Sequence, residues 1–473
     1  MHDETVRLSW LDSVIELSEL IRSIPKAPPL YLVGGAVRNA YMGGPVDEID
    51  VAVDGDAIAV ARHVADAWNA GIYIMDRERK VARVFVKLGG GVTTIDFASF
   101  RGDTLEEDLR DRDFTMNAMA ADLLGDPFAL IDPLNGVSDL RKKILRRCSP
   151  HSIADDPIRV LRAVRLSAQF DLKIHPDTVT DIRRHASDLS KASPERIRDE
   201  FFKLLGIEQA ARGARVLARI GALQQVLPLG AAAGDLSLPV AERMSSILRA
   251  ISSKRTDNTA AAFDLGMLAI QLGRFRASLQ ERLSQVYGNG RTHADLLKLA
   301  ALLQHLGDTG SNGGRSSVAA KVGKVARSLR LTREEERRMA AAIGNCREIL
   351  ERKSWTPLDQ HRFWHRLSEC GIDALLLGAS IQMAKQGRAI KQDEWLQFVE
   401  RTISMLDVYF HHFDEIVSPA ILLDGNDVQR LLNVGSGPLV GRVLSSLREA
   451  QVAGEVRSVA EARSFVLRHA TEF

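Results

Sequence analysis

Residues suited to phosphate and metal chemistry gather in one short stretch, YLVGGAVRNAYMGGPVDEIDVAV (Tyr31–Val53). A Gly-Gly turn, Gly34–Gly35, follows a strand-like run and precedes a helical one with Arg38 in its first turns. Glycine lets backbone approach a ligand closely, and a helix N-terminus presents free N–H groups to phosphate. Arg38 adds a guanidinium fork for phosphate oxygens. Fifteen residues after Gly35 comes Asp50, with Glu48 two positions before it. Strand side chains alternate, so these two carboxylates share a face. Paired carboxylates beside a phosphate cradle offer the hard oxygen ligands that a pair of Mg²⁺ ions requires. A later run, VTTIDFASFRG, offers Asp96 as a third carboxylate.

The elements that must position these groups are legible from the pattern. Tyr31–Val33, Glu48–Val53, Ala82–Leu88 and Val92–Ala98 read as strands, and Ala57–Ala70 has helical spacing. After Asp139 strand signals nearly stop, and Leu, Ala, Arg and Glu recur at helical period to Phe473. The pattern predicts a mixed α/β head on a long helical body. LPLGAAAGDLSLP (Leu227–Pro239) reads as a linker, Asp308–Ser317 as a polar loop, and Ser418–Pro419 as a further break. The charged stretch Arg327–Arg338 mixes both signs at i,i+4 spacing and reads as a solvated helix face.

Composition sets outer limits. At 473 residues the chain is long enough for about three domains. It is 45% hydrophobic and 26% charged, ordinary for a globular protein. Lys and Arg total 63 against 61 Asp and Glu, a balance that neither demands nor forbids a nucleic-acid partner. Aromatics are 5% of the chain, which argues against a wide base-stacking platform and for phosphate contacts from Arg and Lys. No apolar run approaches the ~18 residues of a membrane helix, and MHDETVRLSW lacks the signature of a signal peptide. Cys148, Cys346 and Cys370 are widely spaced with no CxxC pair, a pattern that fits a reducing cytoplasm better than a thiolate zinc site or a disulfide framework.

Four further motifs follow in order: DLRDRDFTMNAMA (Asp108–Ala120), IDPLNGVSDL (Ile131–Leu140), DDPIRVLRAVRLSAQF (Asp155–Phe170) and SPERIRDEFFKLL (Ser193–Leu205). With the first, they span about residues 30–205. In this set the chain resembles the class II template-independent RNA nucleotidyltransferases: CCA-adding enzymes, their CC- or A-adding relatives, and bacterial poly(A) polymerases. The resemblance implies an α+β fold, with a polymerase-β-type nucleotidyltransferase head carrying a small mixed sheet, then an all-helical neck, body and tail. The corresponding segments are 1–140, 141–226, 227–417 and 418–473.

Three positions depart from the family pattern. Glu48-x-Asp50 stands where Asp-x-Asp is usual, Asp111-Arg112-Asp113 replaces Arg-Arg-Asp, and Asn135-Gly136 replaces Gly-Gly. Glu remains a hard ligand, but its extra methylene moves the carboxylate by about 1.5 Å. Arg112, Asp113 and Asn117 match the motif that contacts the ribose and supports the carboxylates. Phe114, Met116 and Met119 read as core beneath it.

The choice of nucleotide follows from hydrogen-bond inventory. Ser152 or Asp155 is suited to cap a helix with Pro157 in its first turn and Ile158, Leu161, Val164 and Ala168 as its buried stripe. Asp156 and Arg159, three apart, then project from one side. An aspartate accepts and an arginine donates. Cytosine and adenine pair an exocyclic amino donor with a ring-nitrogen acceptor, whereas uracil and guanine reverse the pattern. In the family this motif selects CTP and ATP, and Asp156 and Arg159 are the matching residues, with Arg162 one turn on among the nucleotide-binding set.

The remaining signals are weaker. LAALLQHLGD (Leu299–Asp308) carries Gln304-His305 where a working HD phosphohydrolase motif needs His-Asp, which makes it a metal-free packing remnant. His411, His412 and Asp414 read as surface or packing residues. Leu422–Val456 resembles the tail of tRNA nucleotidyltransferases, with a Gly435-x-Gly437-Pro438 turn between two helices, the second beginning near Leu439. The resemblance therefore implies Mg²⁺-dependent addition of CCA to tRNA from CTP and ATP, with Glu48, Asp50 and Asp96 catalytic and Glu48 and Asp50 holding metal. Gly34, Gly35 and Arg38 would seat the phosphates. No protein partner is inferable. The alternatives are CC-only, A-only or poly(A) addition, and a non-catalytic RNA-binding relative.

Overall fold

In Glu48-Ile49-Asp50-Val51, polar and apolar residues alternate, and the segment folds as strand β2 (Glu48–Val53) inside a six-stranded sheet. The structure, a computed structural model, describes residues 7–10, 12–46, 48–88, 91–227, 234–252, 263–307, 314–386 and 391–469. The other strands are β1 (Leu30–Val33), β3 (Gly71–Asp76), β4 (Val81–Leu88), β5 (Gly91–Ser99) and β6 (Ala120–Asp122), in the order β3-β4-β5-β2-β1-β6. β2 and β5 run parallel and the other neighbours antiparallel, which is the small mixed sheet expected. Ile49, Val51, Val53, Val84, Ile95 and Phe97 bury one face under α1 (Asp12–Ser23), α2 (Gly35–Met42) and α3 (Ala57–Ala67). Alternation then leaves Glu48 and Asp50 on the opposite face. There, Val33 and Ala52 pack with Leu109, Ala118 and Ala120 in a smaller cluster at the β1–β6 end.

Two strands of this sheet were not foreseen. β3 lies between a helix and a charged turn, and β6 is built on Ala120 and Ala121, weak strand formers held by pairing with β1. α3 ends at Ala67, three residues earlier than its spacing suggests, because Asn69 turns the chain at φ +47°. Asp56 caps its start, accepting from the Ile58 and Ala59 N–H groups. α4 (Leu105–Arg110) begins in a Thr104/Glu107 capping box. Phe114, Met116 and Met119 are fully buried, as expected of core residues.

Beyond the sheet come α5 (Gly136–Arg141), α6 (Ser152–Asp155), α7 (Ile158–Gln169), α8 (Pro176–His185) and α9 (Pro194–Gly206). Among the described residues after Asp139, strand pairing shrinks to β7 (Ile144–Leu145) with β8 (Lys173–Ile174) and an isolated bridge between Val286 and Thr292. The expected cap of α7 is corrected. Ser152 and Asp155 belong to the separate short α6, and the chain breaks at Asp156 (φ −145°, ψ 101°), whose Oδ1 faces the Ile158 N–H at 3.4 Å. Pro157 leads into α7, and Ile158, Leu161, Val164 and Ala168 form its buried stripe.

The chain divides into two compact units, Met1–Glu200 with Arg219–Gln225, and Phe201–Ala218 with Val226–Phe473; the first division falls inside α9. The regular elements of the second unit's described residues are all helices. Of the linker expected at Leu227–Pro239, 228–233 lie outside the described residues, and Gly234–Pro239 opens the helix Gly234–Ile251. Of the loop expected at Asp308–Ser317, 308–313 lie outside them, and Arg315–Ser317 begins the helix Arg315–Ser328. The tail folds as Gly425–Leu432, Pro438–Val452 and Val459–Arg468 around Val428, Val443, Leu447 and Phe465.

The charged stretch Arg327–Arg338 is more than a solvated face. Glu335 is fully buried and bonds Arg291 at 2.6 and 3.0 Å, and Arg338 is buried against Glu334 and Glu369. Partners distant in sequence (Arg291 and Glu369) decide this, and sequence periodicity does not reveal them. Removing one member of such a buried pair typically costs about 3–5 kcal/mol.

α5 depends on close backbone approach. Both Asp132 carboxylate oxygens accept from its first N–H groups, Gly136 at 2.7 Å and Val137 at 2.9 Å. A Cβ on Gly136 would overlap the Thr115 carbonyl. Gly136→Ala is therefore expected to destabilise the first unit by about 2 kcal/mol, as overpacking does. Urea denaturation of the two proteins measures it.

Candidate active site

The strand-turn-helix of β1 and α2 is built around a residue that must be glycine. Gly34 sits at φ +75°, ψ −140°, and a Cβ there would stand 2.9 Å from Asp50 Oδ2 and 3.8 Å from Arg112 Nη1. The turn thus lies directly against the carboxylate of β2. Register aligns Val33 with Asp50 and Asp50 with Asp96, so three strands bring turn and carboxylates together. Burial pushes the Asp50 carboxyl above its ordinary range; Arg112 opposes this, while Asp96 and Glu48 add to it.

Asp96 stands beside Asp50, but both its oxygens are engaged. Arg83 of β4 holds them bidentately, Nε and Nη2 each at 2.7 Å. Arg83 was not singled out from sequence, because only the β4–β5 register places it opposite Asp96.

Arg38 folds back over Gly35. Its Nη1 donates to Asn117 Oδ1 at 2.5 Å, its Nη2 to Asn39 Oδ1 at 2.9 Å, and its guanidinium lies 4.5 Å from the Phe170 ring centre. Burial pushes its pKa down to about 10, with the like charge of Arg165 adding to the shift and Asp113 opposing it. Arg112 is anchored through Nε and Nη2 to buried Asp108, at 3.1 and 2.8 Å. Asp108 lies four residues earlier on α4, a helical spacing that could have disclosed it. Burial works against ionisation of Asp113, but Arg162 at 3.0 Å, the Asn117 amide and the Phe114 N–H hold its carboxyl below the ordinary range. Gly34, Gly35, Arg38, Asp50, Arg112, Asp113, Asn117 and Arg162 thus form one neighbourhood.

Asp156 and Arg159 both lie at the start of α7, but the structure does not pair them. Asp156 Oδ2 accepts from Arg196 of α9 at 2.7 Å. Arg159 is buried and donates to backbone carbonyls, that of Ser152 at 2.8 Å and that of Asp111 at 2.8 Å. Arg165 meets Glu200 at 2.5 Å, a tie between α7 and the middle of α9. These contacts give the fifth motif a local role, which its sequence alone did not suggest.

The donors near Asp50 fit a hard divalent cation. Glu48 and Asp50 supply carboxylate oxygens only, and the crowding of like charge on a half-buried Asp50 is what a bound cation relieves. Among the described residues no three or more His, Cys, Asp or Glu side chains converge as a closed metal cage. Two carboxylates leave coordination positions open, as in sites completed by substrate phosphates. Elsewhere, His305 bonds Ser237 Oγ at 3.1 Å, and His411 bonds Asp407 at 2.9 Å while packing on Phe275. Asp414 lies in the turn Phe413–Val417. Among the described residues no helix is long and apolar enough to cross a membrane.

Comparison with known proteins gives the family and the fold. Residues 30–146 match the family described as "Poly A polymerase head domain", and residues 171–233 the one described as "Probable RNA and SrmB- binding site of polymerase A". A CC-adding tRNA nucleotidyltransferase of Geobacter sulfurreducens is 30% identical over 92% of this chain and 91% of its own. An A-adding tRNA nucleotidyltransferase of Deinococcus radiodurans is 31% identical over 96% and 99%. The solved structure of a CCA-adding enzyme with CTP shares the fold, with a TM-score of 0.66 over 98% of this chain and 96% of its own at 21% identity. The chain belongs to the tRNA nucleotidyltransferase and poly(A) polymerase family and is a nucleotidyltransferase of that family.

Two outcomes follow from the buried charges. Asp50→Asn removes a charge held in a like-charged site, so the melting temperature should rise in metal-free buffer while nucleotidyl transfer falls on the order of 10³-fold. Calorimetry and a single-turnover assay measure the pair of effects. Asp113 has a lowered folded pKa, so the stability it contributes is present above its unfolded value of about 4 and is lost as pH falls through the folded value. Asp113→Asn should therefore be less stable at neutral pH and show a shallower loss of melting temperature on acidification than the parent.

Proposed function

We propose that this protein adds CMP and AMP, taken from CTP and ATP, to the 3′ end of tRNA without a template, completing CCA. The observation that carries the reading is the Asp50–Gly34 contact flanked by Arg38, Arg112 and Arg162, which sets a carboxylate site directly against a cationic turn. Such an arrangement suits a triphosphate whose α-phosphorus must face an attacking hydroxyl. A second reading, one half of CCA synthesis, is favoured by relatives that match over nine-tenths of the chain and are named CC-adding and A-adding tRNA nucleotidyltransferases.

In this reading Gly34 and Gly35 admit the phosphates close to backbone, and Arg38 and Arg112 offset their charge. Glu48 and Asp50 would hold divalent cations, Mg²⁺ by the hardness of their oxygens, which when bound acidify the attacking 3′-hydroxyl and neutralise the departing pyrophosphate. Asp96, braced by Arg83, keeps a carboxylate beside Asp50. Arg112, Asp113 and Asn117 would meet the ribose, whose 2′-hydroxyl both donates and accepts. Asp156 and Arg159 read the base edge, with Asp156 steadied by Arg196 and Arg159 by backbone carbonyls. Those partners leave the pair rigid, which favours discrimination between donor–acceptor patterns.

Incorporation of each of the four labelled NTPs onto tRNA ending at the discriminator base, at C and at CC separates the readings. CTP and ATP addition ending at CCA supports the first. C alone, or A only onto the CC end, supports the second, and no incorporation on any acceptor overturns both. Asp156→Ala should relax base choice by about tenfold or more, because a buried hydrogen-bonding site discriminates through its unpaired groups. Unchanged exclusion of UTP and GTP would refute the pairing role.

A further inference from the structure

The site-bearing face of the sheet continues past the carboxylates to an exposed aromatic edge. Register aligns Tyr73 with Arg83, Arg83 with Asp96 and Asp96 with Asp50, one row across β3, β4, β5 and β2. The neighbouring row runs Gly71, Phe85, Thr94 and Glu48. Residues opposite one another in a ladder share a face, and the Arg83–Asp96 bonds fix which face it is. Tyr73 is 62% exposed and Phe85 42% exposed, and a Cβ on Gly71 would lie 3.8 Å from the Phe85 ring, so the residue opposite Phe85 puts no side chain over that ring. Ile72, Tyr73, Met75 and Phe85 make four of the twelve exposed large apolar side chains among the described residues. The turn joining β3 and β4 adds Arg77, Arg79 and Lys80, all exposed, against the single acid Glu78.

We propose that Tyr73 and Phe85, with the basic Arg77–Lys80 turn, form a stacking platform for the single-stranded 3′-terminal segment of the RNA acceptor, a role that rests on the RNA-extending function proposed above. Exposed rings stack on bases of any sequence, and adjacent cations track the phosphates. The platform's distance suits this occupant. Three strand spacings separate Tyr73 from Asp50, about 14 Å. That is roughly four stacked-base rises of 3.4 Å, within reach of the last nucleotides of a strand whose end lies at the carboxylates. A 5% aromatic content argued against a wide platform; two rings in register with the site make a narrow one.

The test is fluorescence anisotropy with a 5′-fluorescein single-stranded RNA ending in CC, alongside incorporation assays. Tyr73→Ala and Phe85→Ala should each weaken binding about tenfold, and the acceptor KM should rise in parallel with the nucleotide KM unchanged. Tyr73→Phe should bind as the parent does, and Tyr73→Trp should show emission quenched by the RNA. Unaltered Kd in the double alanine variant of an active enzyme overturns the platform. So does a double variant that abolishes self-association of this exposed edge strand while leaving RNA affinity intact. Weakened binding in the variants of a parent that incorporates no nucleotide would refute the transferase reading and retain the platform.

Discussion

The approach of the Gly34 backbone to the Asp50 carboxylate is the constraint on which the rest of this site depends. A side chain at Gly34 would meet Asp50 Oδ2 at 2.9 Å, and its φ of +75° is one that other residues rarely adopt. The turn therefore lies flat against a charged group that burial alone would disfavour. Keeping Asp50 there requires cations nearby, and Arg112 and Arg162 supply them without closing the site. Each of those arginines is in turn held by a carboxylate, Asp108 or Asp113, so that it is fixed in place before any ligand arrives. Preorganisation of this kind favours charge development in a transition state, since the dipoles need not reorganise.

The same logic extends outward from the carboxylates. Arg83 braces Asp96, Arg196 braces Asp156, and Glu200 braces Arg165. In each case the bracing partner lies on another element, so the site is tied to β4 and to α9 as well as to its own strands. One consequence is that the sheet has two characters. One face is a closed apolar core under three helices, and the other is polar at β2 and β5, apolar at the β1–β6 end and exposed at β3. In the second unit, by contrast, the buried ion pairs around Arg291, Glu335, Arg338 and Glu369 lie within a helical core. Their burial makes them sensitive to loss of either partner.

Much of this was legible in the residues themselves. Gly34–Gly35, Arg38 and Glu48-x-Asp50 stood out as candidates for phosphate and metal chemistry, and the structure brings Gly34 and Asp50 together, because glycine freedom and strand alternation are local properties that spacing expresses. Strands β1, β2, β4 and β5 followed from Val, Ile and Thr content, the buried stripe of α7 from its period, and the motif order identified the family. What spacing could not disclose were pairings across the fold. Asp96 read as a third carboxylate, and the structure holds it against Arg83; Asp156 and Arg159 read as two side chains projecting from one side of α7, and the structure ties one to Arg196 and the other to backbone carbonyls; Arg327–Arg338 read as solvated and is partly buried. Sequence thus determined which groups this protein has for its chemistry and on which face of which element they stand, because those depend on local geometry. Only the tertiary structure decided which of those groups are already occupied, and which rings lie exposed beside them, because register between strands and contact between helices join residues that no sequence interval relates.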